Sequence, residues 1–225
     1  VKKKLLLLSM IACILAVATV GVTLAYATTT SGTITGNYDT PTLAVKLSAE
    51  NTAVDAQADA DQTTALNQLV PGGAAQKIGY TAENTDSTSE YVCVTITKYW
   101  TKDGEKDTSG ATNPSDIILD GLDTLAAGDA YGGTEWIVLR KSAEQIVLVH
   151  TGHLESNAAT GSFLDSVRLS ERAGLANQGY QPEIRVSAQA VQYLAGNDTV
   201  NTNAILAAWG TQATIVDGTI TAVTL

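Results

Sequence analysis

The sequence predicts an all-β fold: an antiparallel β-sandwich or jelly roll with one or two short helices, preceded by a cleaved signal peptide. Three observations carry that prediction. Thr, Ser, Ala, Gly, Val and Ile dominate the chain, which has a single Phe and only 13 Lys plus Arg. Eight or nine short runs alternate apolar and polar residues with period two, the pattern of pleated strands. No strand–helix–strand unit recurs, as a parallel sheet would require.

The elements follow in chain order. Lys2, Lys3 and Lys4 precede an apolar run from Leu5 to about Val22, closed by Ala25-Tyr26-Ala27. A basic start, an apolar middle and small residues before the cut make a secretory signal over 1–27, cleaved between Ala27 and Thr28. The run approaches the roughly 20 residues that span a bilayer, so an uncleaved anchor is the competing reading. The Ala-x-Ala ending favours cleavage. Cys13 lies inside the apolar run, which argues against a lipoprotein. Residues 28–40 form a flexible N-terminal segment, in which Ser31, Gly32, Thr33, Ile34, Thr35 and Gly36 are polar, β-prone and unable to fold alone. The domain proper is expected over 41–225.

Within it, Thr42 to Leu47 reads as a strand with Leu43, Val45 and Leu47 on one face. Ser48 to Thr64 is acidic and Ala-rich, with Asp55, Asp59 and Asp61, and reads as a loop. Leu69-Val70-Pro71-Gly72-Gly73 is a turn, because Pro presets one dihedral and Gly supplies the permissive position. Gln76 to Glu83 places Ile78, Tyr80 and Ala82 on one face, and Asn84-Thr85-Asp86-Ser87 turns the chain. Tyr91 to Trp100 is the clearest strand. Val92, Val94, Ile96 and Trp100 share one face; Cys93, Thr95, Thr97 and Tyr99 share the other. Lys98 interrupts the apolar face and is expected at the rim. Asp103-Gly104 turns, 105–115 is polar loop, Asp116 to Leu119 is a short strand, and Gly121 to Asp129 connects. Glu135 to Leu139 and Gln145 to Val149 make a hairpin. Phe163 to Leu169 and Glu183 to Leu194 are further strands, the latter with Ile184, Val186, Ala188 and Ala190 on one face. Asn201 to Trp209 is a helix, capped by Asn201 and stopped by Gly210. Two short strands surround Ile215 and Ile220.

Composition excludes several functions. The 225 residues carry a formal charge of −10. The signal holds three of the 13 basic residues and no acid, so its loss makes the rest more acidic still. Nucleic-acid binding needs a basic footprint and is not expected. Of the two cysteines only Cys93 follows the signal, so no intrachain disulfide can form and the domain must rely on its core.

Taken in order, these motifs resemble the TasA/camelysin (CalY)-like family of secreted biofilm-matrix fibre proteins, whose signals are cut by a SipW-type peptidase. The resemblance rests on Lys2 to Ala27 and on Thr42 to Glu50 with its acidic continuation. It extends through Leu69-Val70-Pro71-Gly72, Glu83-Asn84-Thr85-Asp86-Ser87, Tyr91 to Trp100, Asn177 to Gln192 and Ala208-Trp209-Gly210. The family's aromatic-plus-Asp start is replaced here by Thr28-Thr29-Thr30, and its usual Gly by Asp86. The resemblance implies a jelly-roll subunit that polymerises head to tail. Ser31 to Gly36 of one copy would insert as a donor strand into the next, satisfying its own N–H and C=O groups and covering a sheet edge. Such heterologous contacts build open filaments. Expected partners are further copies of the chain, the SipW-type signal peptidase and other matrix proteins. Membrane contact is expected only through the uncleaved signal. The expected location is the extracellular matrix or surface of a bacterium.

No cofactor is expected. Some members of the family carry a metalloprotease label, but the His-Glu-x-x-His pattern of a zinc protease is missing. The two histidines, His150 and His153, could act with Glu155 as metal ligands, though Gly152 between them suggests exposed polar residues at a strand end. Cys93, mid-strand, reads as a buried inert thiol. Asp55, Asp59 and Asp61 lack the spacing and Gly of a calcium loop. Trp100, Trp136 and Trp209 read as core rather than as a ligand platform. The expected function is therefore a structural fibre subunit without catalysis. The alternatives are a secreted β-sandwich that binds carbohydrate or a host surface and, further off, a camelysin-type metalloprotease.

Overall fold

In a computed structural model the described residues are 43–49, 54–58, 60–66, 69–174 and 177–224. The signal with its cut site at Ala25, Ala27 and Thr28, and the donor segment Ser31 to Gly36, lie outside them.

Alternating sequence becomes strand almost throughout. In order the strands are β1 (Val45–Ala49), β2 (Val54–Ala58), β3 (Asp61–Ala65), β4 (Gln76–Asn84), β5 (Glu90–Lys102) and β6 (Glu105–Lys106). After a 3-10 turn at Pro114–Asp116 come β7 (Ile117–Leu119), β8 (Ala130–Tyr131), β9 (Trp136–Lys141), β10 (Gln145–His150), β11 (Leu164–Leu169) and β12 (Gln181–Gln192). Helix α1 (Asp198–Trp209) precedes the hairpin β13 (Gln212–Val216) and β14 (Thr219–Thr224). A smaller sheet runs β1-β4-β11-β7. A larger one runs β2-β3-β12-β5-β10-β9-β8, with β6 paired to the end of β5. Every pairing between these strands is antiparallel.

The longest ladder is β5 on β12, in unbroken register from Gln181 opposite Thr101 to Gln192 opposite Glu90. The two faces of β5 feed two separate cores. Val92, Val94, Ile96 and Trp100 meet Ile184 and Val186 of β12, Ile78 and Tyr80 of β4, and Val167 of β11 between the sheets. This is an all-β sandwich, as the composition predicts. The opposite face carries Tyr91 and Cys93, joined by Ile137, Leu139, Val147 and Val149. These pack under Ile205 and Trp209 of α1 and Ala213 and Ile220 of the hairpin. The C-terminal segment thus forms a third layer over part of the large sheet.

Several expectations need correction. The acidic stretch Ser48 to Thr64 is not a loop: Val54–Ala58 and Asp61–Ala65 pair as a hairpin on the edge of the large sheet. Gln62 and Thr64 of β3 are buried, and Leu66 beyond it is too. Small and hydroxylated residues hid this alternation. The helix begins a turn earlier than predicted. Asn197, not Asn201, caps it by accepting from the Val200 N–H, while Gly210 at φ 65° ends it as expected. Asn201 is fully buried and bonds both the N–H and the C=O of Leu194. Lys98 is not at the rim. It is 2% exposed, because its phase on β5 directs it between the sheets.

Candidate functional site

The two histidines do not converge with Glu155 on one site. His150 ends β10 with its ring edge-on to Trp136, centroids 5.0 Å apart. Its Nδ1 lies 2.7 Å from the Gly152 carbonyl and its Nε2 3.4 Å from Glu135 Oε1. His153 instead stacks on Tyr193 at 3.7 Å, with Tyr91 edge-on, and its Nε2 is 3.1 Å from Glu155 Oε1. The other Glu155 oxygen accepts the Ser89 hydroxyl at 2.5 Å. That hydrogen bond, with His153 adding to it, holds the Glu155 carboxyl below its usual range. The carboxylate therefore stands between hydroxyl and imidazole. A serine nucleophile needs the imidazole in the middle, so this trio cannot relay a proton from Ser89 to His153. Among the described residues, no three His, Cys, Asp or Glu side chains form a group that could hold a metal. Cys93 is buried against the third layer, and burial pushes its thiol up to about 12, which keeps it protonated at neutral pH.

The sheet edges bear more directly on assembly. An open edge presents unpaired N–H and C=O groups to any extended chain. One edge is closed, and a second is touched at one point, by side chains. At β7, the Lys98 ammonium donates to the Ile117 carbonyl at 2.7 Å and to both Asp123 oxygens at 2.8 Å. Asp123 Oδ2 accepts the Leu119 N–H at 2.7 Å. The ion pair takes the Ile117 carbonyl and the Leu119 N–H, while the Leu119 carbonyl accepts from the Leu122 and Asp123 N–H groups and the Ile117 N–H donates to the Pro114 carbonyl, so the outward groups of β7 are occupied. Lys141 fixes the adjoining turn through the Asp123 and Leu125 carbonyls. Burial lowers the Lys98 pKa, and Asp123 opposes that shift. At β1, the Gln62 side-chain amide donates to the Leu47 carbonyl at 2.5 Å, linking the two sheets across their margin. The large sheet ends on the two-residue β8 at one side and on β2 at the other. Among the described residues, β2 pairs with β3 alone.

Two surface grooves complete the inventory. Where the third layer stops, the outer face of β5 turns polar. Thr95, Thr97 and Tyr99 there line a shallow groove of about 460 Å³ with Glu183, Arg185 and Gln145. Arg185 is fixed by a bidentate pair with Asp61. A second groove of about 590 Å³ opens at the sandwich end among Leu66, Leu69, Pro71, Trp100, Tyr180 and Pro182.

Sequence reasoning missed Gln62, Lys98 and Asp123 as edge residues. Lys98 carried a signal, since a charge at an inward phase of a strand must find a partner. Asp123 lay in a connection without pattern, and Gln62 in a stretch read as loop. Trp100 and Trp136 lie in the inter-sheet core and Trp209 in the outer one, the core placement read from the sequence. No family model matches the chain, and neither a curated protein nor a solved structure matches it.

Proposed function

We propose that this chain is a secreted subunit of extracellular matrix fibres. In this reading a SipW-type peptidase cuts after Ala27, the sandwich is a jelly roll, and Ser31 to Gly36 of one copy pairs as a strand with the next. The observation that carries the reading is the uneven treatment of the edges. A buried ion pair occupies the edge of β7 and Gln62 takes one carbonyl of β1, whereas β2 offers five residues, Val54–Ala58, with β3 as its one strand partner among the described residues. A sandwich that blocks one edge, bridges a second and leaves another of suitable length suits directed, head-to-tail addition. The resemblance of the sequence to matrix-fibre proteins supports the same conclusion.

Deleting Thr28 to Gly36 from the mature chain should leave a folded monomer that forms no filaments in electron micrographs. Filaments that persist after the deletion overturn the donor-strand reading. The polar groove at Tyr99 favours a second reading, a carbohydrate-binding module. Saturable glycan binding by the monomer, lost in Tyr99→Ala and indifferent to the deletion, would move the conclusion there.

A further inference from the structure

The turn between β4 and β5 crosses from the small sheet to the large one. Its first anchor is Asn84, fully buried at the end of β4. The Asn84 amide donates to the Thr88 carbonyl at 2.7 Å and the Leu154 carbonyl at 3.0 Å, and its oxygen accepts the Asp86 N–H at 2.8 Å. Glu90, the second anchor, exchanges backbone hydrogen bonds with Leu154 at 3.0 and 2.7 Å. The crossing is therefore fixed at both ends.

Four oxygens in this fixed turn are buried with no hydrogen-bond partner among the described residues: both carboxylate oxygens of Glu90, Oδ2 of Asp86 and Oγ1 of Thr88. Glu90 is 0% exposed, so its carboxylate has no access to solvent. Buried carboxylates are normally paired or coordinated, because desolvating an unpaired charge costs several kcal/mol. Among the described residues no basic group bonds to this one. Burial first, and the nearby Asp86 charge second, push the Glu90 carboxyl up to about 8. The remaining Asp86 oxygen, Oδ1, accepts the Ser87 N–H at 2.5 Å, which orients the carboxylate.

We propose that Asp86, Thr88 and Glu90 bind a calcium ion that pins the crossing between the two sheets. The spacing is i, i+2, i+4, which is the spacing of the first three ligands in calcium-binding loops. All the unpartnered atoms are oxygens, the donor set of a hard cation, and no sulfur or imidazole is among them to favour zinc. Asp86 supplies one charge and Glu90 a second as the ion displaces its proton, while the hydroxyl, backbone carbonyls and water that enters with the ion complete the six to eight ligands calcium takes. An irregular turn suits calcium better than magnesium, which demands near-ideal octahedral geometry. This assignment stands apart from the acidic stretch around Asp55 to Asp61 and does not depend on the fibre reading.

The test is calorimetric titration of calcium chloride into the chelator-stripped mature chain at pH 7 in 0.1 M NaCl, with thermal melts in parallel. Expected are one saturable site, in the roughly 10⁻⁴ to 10⁻³ M range of extracellular modules, and a higher Tm in calcium than in magnesium or chelator. Glu90→Gln and Asp86→Asn should each weaken binding at least tenfold. Asp107→Asn removes the same charge from an exposed turn and should leave binding unchanged. If Glu90→Gln does not fold, Asp86→Asn alone decides, since Asp86 lies in the turn and outside both sheets. Three results would overturn the proposal: no calcium-dependent heat or Tm change in the wild type, equal binding by Asp86→Asn and wild type, or equal weakening by Asp107→Asn. The last would mean general attraction to an acidic surface.

Discussion

At the scale of single residues, the informative side chains are polar groups in places that phase makes inward-facing. Glu90 and Lys98 both occupy the inner phase of β5, among Val92, Val94 and Ile96, and they meet opposite fates. Lys98 has Asp123 and a carbonyl; Glu90 has no partner among the described residues. The position of Lys98 is legible in the sequence as a break in alternation, but its partner is not, because Asp123 arrives from a turn 25 residues away. Glu90 also has a consequence for stability in chelator. The unfolded carboxyl ionises near 4.5, whereas the folded one keeps its proton up to about 8. Below pH 4.5 both states are protonated and this group adds no pH dependence. Between 4.5 and 8 the unfolded chain loses a proton that the folded chain retains. Stability from this group therefore falls as pH rises, by at most about 1.4 kcal/mol per pH unit, and levels off above pH 8. Urea unfolding of wild type and Glu90→Gln at pH 5, 7 and 9 in chelator should show Glu90→Gln gaining steadily on the wild type. A difference independent of pH would mean that Glu90 does not titrate as its burial requires.

Among the elements, those with apolar alternation were legible and those built from Thr, Gln and Ala were not. β5, β9, β10 and β12 follow from Val, Ile and Leu at period two. β2 and β3 are strands because β12 pairs with β3 over Asp61–Ala65 and Arg185 reaches Asp61, contacts that no local pattern announces. The helix shows a subtler failure. Asn201 has the residue type of a cap, and it occupies the helix interior because its amide serves Leu194 instead. Two substitutions separate the roles. Asn197→Ala removes an exposed cap and should cost about 1 kcal/mol. Asn201→Ala leaves the Leu194 N–H and C=O without their partner beneath the helix and should cost more, about 1–3 kcal/mol. Chemical denaturation that ranks Asn197→Ala as the more damaging would restore Asn201 as the cap.

For the molecule as a whole, the sequence predicted two layers and the chain builds three. The period-two pattern of β5 shows that both its faces can be apolar near Tyr91 and Cys93. It cannot show that one sequence-distant helix and hairpin cover the second face, because that depends on where the C-terminal segment returns. The covering bears on the proposed assembly: the outer face of the large sheet is occupied at one end and polar at the other, which leaves the edges as the places for strand addition. Of these, β7 is filled by Lys98 and Asp123, β1 is bridged by Gln62, and β8 has only two residues. In the proposed fibre, β2 is then the acceptor edge to test first. Cysteines placed on donor and acceptor make that concrete. Cys93 is buried and protonated at neutral pH, so it does not compete for oxidation. The variant Thr33→Cys with Ala56→Cys, or with Asp55→Cys to cover the alternative register, should give a ladder of covalent multimers on a non-reducing gel of oxidised filaments. Thr33→Cys with Ile118→Cys should give none, because the ion pair already occupies the edge of β7. Multimers from the β7 pairing without any from β2 would move the acceptor to the small sheet and require Lys98 and Asp123 to yield on assembly.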